Sequence, residues 1–210
     1  MQITAQMVKE LREATGAGPL DCKRALEAAE GDMQKAIDWL REKGLAKAAK
    51  KLGAGRSMNE GVIETYQHFN ARLGVMVEVN CETDFVANTD SFRQFAKEIA
   101  LHIANLNPEY LKREDVPDAV VQAERELQRR RTLEEGKPGT VADKIVDGRM
   151  EKFFEEIVLM EQKFLKDDAK SISDILSERV AELGESIEIR RFARFALGEN
   201  DSDDAADTDE

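Results

Sequence analysis

The chain has 210 residues, of which 41% are hydrophobic and 35% are charged, a composition typical of a globular protein with a well-solvated surface. No stretch approaches the roughly 18–20 consecutive apolar residues of a membrane-spanning helix, and the opening residues lack the apolar run of a secretory signal. The formal net charge of −12 argues against general binding to nucleic-acid phosphates, so we expect a cytoplasmic protein that binds neither membrane nor nucleic acid.

Residues 1 to about 44 predict three short helices separated by glycines. Thr4 stands where it can cap the first helix, Pro19 occupies the first position of the second, and Asp32 can cap the third, which Gly44 ends. Their apolar positions follow helical spacing and predict a miniature core: Val8, Leu11, Ala14, Cys22, Ala25, Leu26, Ala29, Met33, Ala36, Ile37 and Leu40.

A basic and then glycine-rich stretch follows, with the sequence LAKAAKKLGAGRSMNEG. Lys47, Lys50 and Lys51 either form a phosphate-binding patch or lie on a solvated connecting helix that leads into a linker. Composition favours the connecting helix. We therefore place a domain boundary within 53–59.

Beyond this boundary the apolar pattern takes the two-residue period of strands. Strands are predicted at 61–67 and 74–81, and the second puts Val75, Val77, Val79 and Cys81 on one face. Helices are predicted from Phe92 to just before Pro108, after Pro117 as far as the turn at 136–139, and at 141–146, 150–165 and 172–183. Ile187, Ile189, Ala193 and Phe195 predict a last strand, although Arg191 interrupts its apolar phase. Few strands among many helices indicate an α+β core.

No catalytic constellation can be assembled from the sequence. It contains no phosphate loop, dinucleotide fingerprint, nucleophile elbow or zinc-protease motif. His68 and His102 are far apart and have apolar or aromatic neighbours, which favours structural or surface roles. Cys22 and Cys81 are too few for a disulfide framework and are predicted to be small buried thiols. We predict a protein that is not an enzyme and has no cofactor or metal of its own; an enzyme would need a site formed at an interface.

Two long passages carry the most specific signal. They are LREATGAGPLDCKRAL at 11–26 and EVNCETDFVA at 78–87, followed by KIVDGRM, LMEQKF and RRFARFALGE further along the chain. In this order and at about this separation they resemble the signature passages of the elongation factor Ts family. The resemblance covers about residues 1–199.

The resemblance implies an α+β protein in two parts. Residues 1–54 would form a three-helix, ubiquitin-associated-like domain with a linker, and residues 55–197 a core in which helices flank a small antiparallel sheet. Residues 198–210 contribute −7 of the net charge of −12 and contain no Lys or Arg, so we expect an acidic disordered tail.

The resemblance also implies a function: guanine-nucleotide exchange on the translational GTPase elongation factor Tu. Such a factor binds elongation factor Tu in its GDP-bound and nucleotide-free forms, displaces Mg²⁺ and releases GDP so that GTP can rebind. Carried over to this sequence, the residues that displace Mg²⁺ are Thr83, Asp84, Phe85 and Val86. The docking turn consists of Pro19 and Leu20, an exposed apolar pair, with Arg12 and Lys23 as flanking polar contacts. Family members with a methionine pair at this turn differ from this sequence.

Local reasoning leaves simpler interpretations open for both groups. Thr83 or Asp84 could merely cap a helix while Phe85 fills the core. Pro19 and Leu20 could merely begin a helix and fill the core behind it. An adaptor that recruits other proteins through its N-terminal helices would explain the first 44 residues but not the Thr83–Val86 segment.

The length of the core predicts its assembly state. The segment from Gly61 onward has room for about one of the two similar halves found in longer family members, so we expect a homodimer that binds two copies of elongation factor Tu. Four apolar residues close together on a predicted helix are the candidates for its interface: Phe153, Phe154, Ile157 and Val158. The alternative is that these residues pack within the chain and the protein is monomeric.

Overall fold

The computed structural model describes residues 3–15, 17–52, 58–136 and 139–199, without the side chains of 45–52, 139 and 140. Its elements in chain order are α1 (Ala5–Thr15), α2 (Pro19–Ala28), α3 (Met33–Leu52), β1 (Glu60–Gln67), β2 (Leu73–Cys81), α4 (Asp84–Ala87), α5 (Asp90–Leu106), α6 (Asp118–Glu134), α7 (Gly139–Ile157), β3 (Lys163–Phe164), β4 (Asp167–Ser171), α8 (Ile172–Leu183) and β5 (Ile187–Ala196). Two short 3₁₀ helices cover Arg113–Asp115 and Leu159–Glu161. The predicted α+β class is confirmed. The predicted linker at 53–57, the centre of the turn at 136–139 and the tail from 200 onward lie outside the described residues.

The chain divides into two compact units, each made of several stretches. The first unit comprises Met1–Gly61, Asn80–Phe92 and Leu176–Glu188, and the second comprises Val62–Val79, Arg93–Ile175 and Ile189–Glu210. The predicted domain bounds divide the sequence at other points and stay a prediction.

The three N-terminal helices begin where the sequence predicts. The backbone N–H of Met7 donates to Thr4 Oγ1 at 3.2 Å, and that of Lys35 donates to Asp32 Oδ1 at 3.0 Å, so both predicted caps are confirmed. Pro19 is the first residue of α2. The helices close over one buried cluster, as a three-helix ubiquitin-associated-like domain requires: Leu11, Cys22, Ala25, Leu26, Ala29 and Ala36. The prediction of Ala14 as a core residue is wrong, because it lies on the exposed side of α1.

Gly44 does not end the third helix, which continues to Leu52. One glycine costs a helix about 1 kcal/mol, and the segment LAKAAKKL that follows consists of strong helix formers. Gly44 also has a packing role in the first unit, because a Cβ at this position would lie 3.1 Å from the Cβ of Ala181 on α8. The absence of a side chain therefore lets α3 approach α8 closely.

The three long strands form one sheet in the order β1-β2-β5. Leu197 donates its N–H to the carbonyl of Arg72 at 2.9 Å, and Arg191 Nε donates to Glu78 Oε2 at 2.6 Å, as expected for antiparallel neighbours. The predicted buried face of β2 is confirmed: Val75, Val77, Val79 and Cys81 are all buried.

The prediction for β5 is right in position but wrong in its second half. Ile187 and Ile189 are buried, but Arg190 and Arg191 are both exposed, and the alternation restarts one residue later. Phe195 therefore lies on the exposed side of the strand, with 75% of its surface accessible. A one-residue slip reverses every side chain that follows it.

The predicted helices at 141–146 and 150–165 are in fact one helix, α7, which ends at Ile157. Gly148 does not interrupt it, because Val146 and Met150 on either side are both buried in the same core cluster. The helix ends early because the backbone finds another partner: Val158 forms a bridge with Tyr110, and the N–H of Leu159 donates to the Tyr110 carbonyl at 2.9 Å. The residues that follow form the β3–β4 hairpin, which the sequence did not predict.

Of the four candidate dimer residues at the end of α7, Phe154 and Val158 are buried within the second unit, so the prediction of an exposed interface is wrong for them, while Phe153 and Ile157 are half-buried. Phe154 and Val158 belong to a core cluster, and Phe153 and Ile157 pack against it. The Arg113 guanidinium lies over the Phe154 ring at 4.2 Å and forms ion pairs with Glu151 and Glu161. These four residues therefore pack within the chain.

Both histidines have structural surroundings, as predicted. His102 is fully buried on α5, with Nε2 3.0 Å from Gln162 Oε1, and its Nδ1 accepts the N–H of Leu165 at 3.3 Å. Burial lowers the pKa of His102, which favours the neutral ring. His68 Nδ1 lies 2.9 Å from the Tyr66 hydroxyl.

Candidate functional site

The Thr83–Val86 segment forms the start of a single helical turn, α4, in the first unit. Thr83 has extended backbone angles and caps this turn: its Oγ1 accepts the N–H of Val86 at 3.4 Å. At the other end the Asn88 side chain donates to the Asp84 carbonyl at 2.9 Å, and the Thr89 hydroxyl donates to the Val86 carbonyl at 2.8 Å. Backbone groups at both ends of the turn therefore have side-chain hydrogen-bond partners.

Phe85 projects from this turn into solvent. Its ring is 82% exposed, Asp84 beside it is also exposed, and Val86 is half-buried. Ala87 is buried and packs the turn against the body of the unit. The interpretation of Phe85 as core filler is therefore wrong, while the interpretation of Thr83 as a helix cap is confirmed. The helix presents an aromatic ring and a carboxylate side by side at the surface.

The turn is tied to the segment that follows α8 by two carboxylates. Glu185 accepts the N–H of Thr83 at 3.1 Å and the hydroxyl of Thr83 at 2.7 Å. Glu82 accepts the N–H of Ser186 at 2.8 Å and the hydroxyl of Ser186 at 2.7 Å. We call these four hydrogen bonds the crossed clamp. Sequence reasoning missed the roles of Glu82, Glu185 and Ser186, since the partners are more than 100 residues apart and no local pattern pairs residues at that separation.

The thiol of Cys81, beside the turn, is expected to be unreactive. Cys81 is fully buried, and its Sγ donates to the Thr83 carbonyl at 3.1 Å. Burial, reinforced by the charge of Glu185, raises the pKa of Cys81 to about 11. The thiol is therefore neutral near pH 7, and its contribution is to packing.

The predicted docking turn also lies at the surface of the first unit. Leu20, the second residue of α2, is 62% exposed, and Pro19 before it is exposed as well. Arg12 on α1 and Lys23 on α2 are exposed, and Lys23 forms a solvated ion pair with Glu27 at 3.8 Å. Leu20 does not fill the core, so that interpretation is wrong for this residue.

Contacts within the first unit connect α3 to α8, the helix that precedes Glu185. Arg41 on α3 donates to Glu178 on α8 at 3.0 Å, next to the close approach of Gly44 and Ala181. Gly184 ends α8 with a φ of +73°, a left-handed conformation that glycine adopts without strain, and thereby turns the chain towards Glu185. The two predicted binding surfaces therefore belong to one compact unit.

The described part of the chain contains neither a cluster of metal-ligating residues nor a membrane-spanning helix. Within residues 3–15, 17–52, 58–136 and 139–199, no group of three or more His, Cys, Asp or Glu residues is arranged to hold a metal ion. None of the helices in those ranges has the length and apolar character needed to cross a membrane.

Comparison with known proteins gives one consistent result. A family model described as Elongation factor TS matches residues 3–199. Proteins named elongation factor Ts from Carboxydothermus hydrogenoformans and a Thermoanaerobacter species are each 60% identical over 197 residues, which cover 94% of this chain and 90% and 96% of those proteins. The protein of that name from Syntrophomonas wolfei is 57% identical over 205 residues, which cover 98% of this chain and 95% of its own.

Proposed function

Because the chain belongs to the elongation factor Ts family, we propose a mechanism by which its surface causes elongation factor Tu to release GDP. It is a guanine-nucleotide exchange factor for elongation factor Tu. In our proposal the turn at Pro19 and Leu20 docks on the GTPase, with Arg12 and Lys23 as flanking polar contacts. Phe85 then enters beside the Mg²⁺ site, supported by Thr83, Asp84 and Val86. The observation that carries this proposal is the 82% exposed ring of Phe85 on a turn that is held by side-chain hydrogen bonds at both ends.

The Mg²⁺ ion that accompanies the bound nucleotide is sensitive to small displacements of its ligands. The ion bridges phosphate and protein oxygens and requires near-ideal octahedral geometry, so a small displacement of the elements that hold it is costly. Insertion of an aromatic ring next to those elements would displace them, and Asp84 would support the displaced state through polar contacts. Without the metal, the phosphate charge is poorly compensated and GDP dissociates faster.

Thermodynamic linkage between factor binding and nucleotide binding determines the remaining steps of the exchange cycle. If the factor weakens GDP binding, GDP weakens factor binding by the same ratio. The factor therefore binds the nucleotide-free GTPase tightly and is expelled when GTP enters. We propose that it performs no covalent chemistry and acts in the cytoplasm, where translation takes place.

The magnesium dependence of exchange tests this mechanism. Elongation factor Tu loaded with fluorescent GDP is chased with unlabelled GDP, with and without the factor, in Mg²⁺ and in EDTA. We expect the acceleration by the factor to be about tenfold smaller in EDTA, within the range usual for coupled sites, because the metal has already gone. An acceleration of equal size in both buffers would show that the factor acts on something other than the metal.

We also propose that two copies of the chain associate, through a face different from the one on α7. The β1-β2-β5 sheet carries an exposed apolar residue on each strand: Ile63 is 62%, Met76 52% and Phe195 75% exposed. One face of an antiparallel sheet is commonly solvated, but exposed apolar side chains on all three strands favour a partner that covers them. A second copy offers the same face by two-fold symmetry, and each dimer would bind two copies of elongation factor Tu.

Light scattering measures this association. We expect a mass near twice the 23.6 kDa of one chain, and a shift towards 23.6 kDa for Phe195→Glu, because burying that carboxylate against apolar residues is costly. Phe69→Glu is the matched control, since Phe69 is 92% exposed beyond the end of β1. A mass of 23.6 kDa for the unmodified chain at micromolar concentration, unchanged by dilution, would exclude a stable dimer.

A further inference from the structure

The crossed clamp is placed where it can decide the conformation of α4. We propose that Glu185 is a positioning residue for nucleotide exchange, which holds Phe85 ready for insertion. The inference rests on the proposed role of Phe85, and it adds residues that the docking turn and the Thr83–Val86 segment do not include.

The first step concerns the hydroxyl of Thr83. This group has one proton, which it donates to Glu185 Oε1 at 2.7 Å, and its oxygen accepts the N–H of Val86 at 3.4 Å. The carboxylate thus fixes the side-chain rotamer in which Thr83 caps α4. Hydrogen bonds to an ionised acceptor are shorter and roughly twice as strong as neutral ones.

The second step concerns the length of the helix. Asp84–Ala87 is one turn, and a single turn is unfavourable on its own, because several backbone angles are fixed for very few hydrogen bonds. Its shape must therefore come from contacts at its ends. The Glu185 carboxylate supplies one by holding both the backbone N–H and the hydroxyl of Thr83.

The third step concerns the additional hydrogen bonds that fix the two clamped segments to each other. Glu82 and Ser186 repeat the same pair of hydrogen bonds in the opposite direction, so the two segments cannot slide past each other without breaking both pairs. Beyond α4, the Ser91 hydroxyl donates to Glu182 on α8 at 2.8 Å. The turn that carries Phe85 is thus fixed on both sides to α8 and the residues after it.

The consequence for exchange is preorganisation. When a binding element is already ordered, association does not have to supply its ordering entropy. Docking at Leu20 does not need α4, whereas insertion of Phe85 does. Loss of the clamp should therefore lower the release rate at saturating factor and leave the half-saturating concentration almost unchanged.

Glu185→Ala tests the proposal, with Asp174→Ala as its matched control. Asp174, at the start of α8, accepts the N–H of Ser171 at 2.9 Å and its hydroxyl at 2.8 Å, the same pair of donors that Glu185 accepts from Thr83. We expect both variants to unfold at similarly reduced urea concentrations, and only Glu185→Ala to lower the maximal release rate, by about fivefold. The proposal is overturned if Glu185→Ala keeps the unmodified maximal rate, or if Asp174→Ala loses as much.

A second comparison separates this proposal from the role of Phe85. In the Phe85→Ala background, Glu185→Ala should cause no further loss of rate, because the ring that it positions is absent. If Phe85→Ala is slow while Glu185→Ala is normal, only the clamp is refuted. If Phe85→Ala exchanges normally, the role of Phe85 has failed instead. Should Glu185→Ala not fold, Glu185→Gln keeps one acceptor oxygen and should give an intermediate rate, and an unchanged rate in that variant overturns the proposal.

Discussion

Replacement of Phe85 by alanine is expected to reduce factor-stimulated GDP release by about tenfold or more, the loss typical of a buried aromatic anchor at an interface. The ring is 82% exposed in the free factor and packs against little of its own chain, so the substitution should leave the fold and the unfolding free energy close to those of the unmodified protein. The measurement is the maximal rate of fluorescent GDP release at saturating factor.

Phe69 supplies the control for this prediction. It is 92% exposed and lies in the second unit, so Phe69→Ala removes an equally accessible ring from a surface that we assign no part in insertion. Equal rates for the two variants would show that Phe85 has no special role. If Asp84→Ala lowers the maximal release rate more than Phe85→Ala does, the carboxylate makes the larger contribution to release and the ring the smaller one.

Replacement of Leu20 by glutamate is expected to raise the half-saturating concentration of the factor by about tenfold, which corresponds to ~1.4 kcal/mol of docking free energy. Leu20 is 62% exposed, so the change costs the free protein little, but it places a carboxylate in the proposed apolar contact with the partner. The maximal release rate should stay unchanged, because insertion of Phe85 follows docking. Titration of the release rate against factor concentration gives both quantities.

Leu133→Glu provides the same chemical change at another site. Leu133, on α6 in the second unit, is 53% exposed. If Leu133→Glu weakens the complex as much as Leu20→Glu does, the effect comes from the added charge and not from the docking turn. A fall in maximal rate for Leu20→Glu, with half-saturation unchanged, would contradict the separation of docking from insertion.

Local chemistry made much of the fold predictable. Thr4, Asp32 and Pro19 mark helix starts because their side chains act on backbone groups within three residues, and the structure has all three in those roles. The alternation from Val75 to Cys81 likewise predicts one buried face of a strand. Signals of this kind depend only on neighbours in sequence.

The incorrect predictions occur where distant residues decide the outcome. The sequence around Val158 continues a helical pattern, yet pairing with Tyr110, nearly 50 residues earlier, draws the backbone out of the helix. Gly44 has the usual appearance of a helix stop, but α3 continues through it and packs closely against Ala181. The first outcome depends on a tertiary contact that no local pattern contains, whereas α3 continues through Gly44 because strong helix formers follow it.

The candidate site shows the same division. The exposed residues of the docking turn and of the Thr83–Val86 segment were reached through a resemblance to a family, and local reasoning alone would have placed Leu20 and Phe85 in the core. The crossed clamp was not predicted at all, because a glutamate that binds a hydroxyl 102 residues away looks like any other solvated glutamate. Its role depends on geometry that only the folded chain provides.

The release of fluorescent GDP from elongation factor Tu, followed as the concentration of the unmodified factor is raised, tests the central claim most directly. We predict a release rate that rises with factor concentration and reaches a plateau well above the spontaneous rate, with a plateau about tenfold or more lower for Phe85→Ala. A release rate that stays at its spontaneous value at every factor concentration would contradict the assignment of nucleotide exchange to this chain.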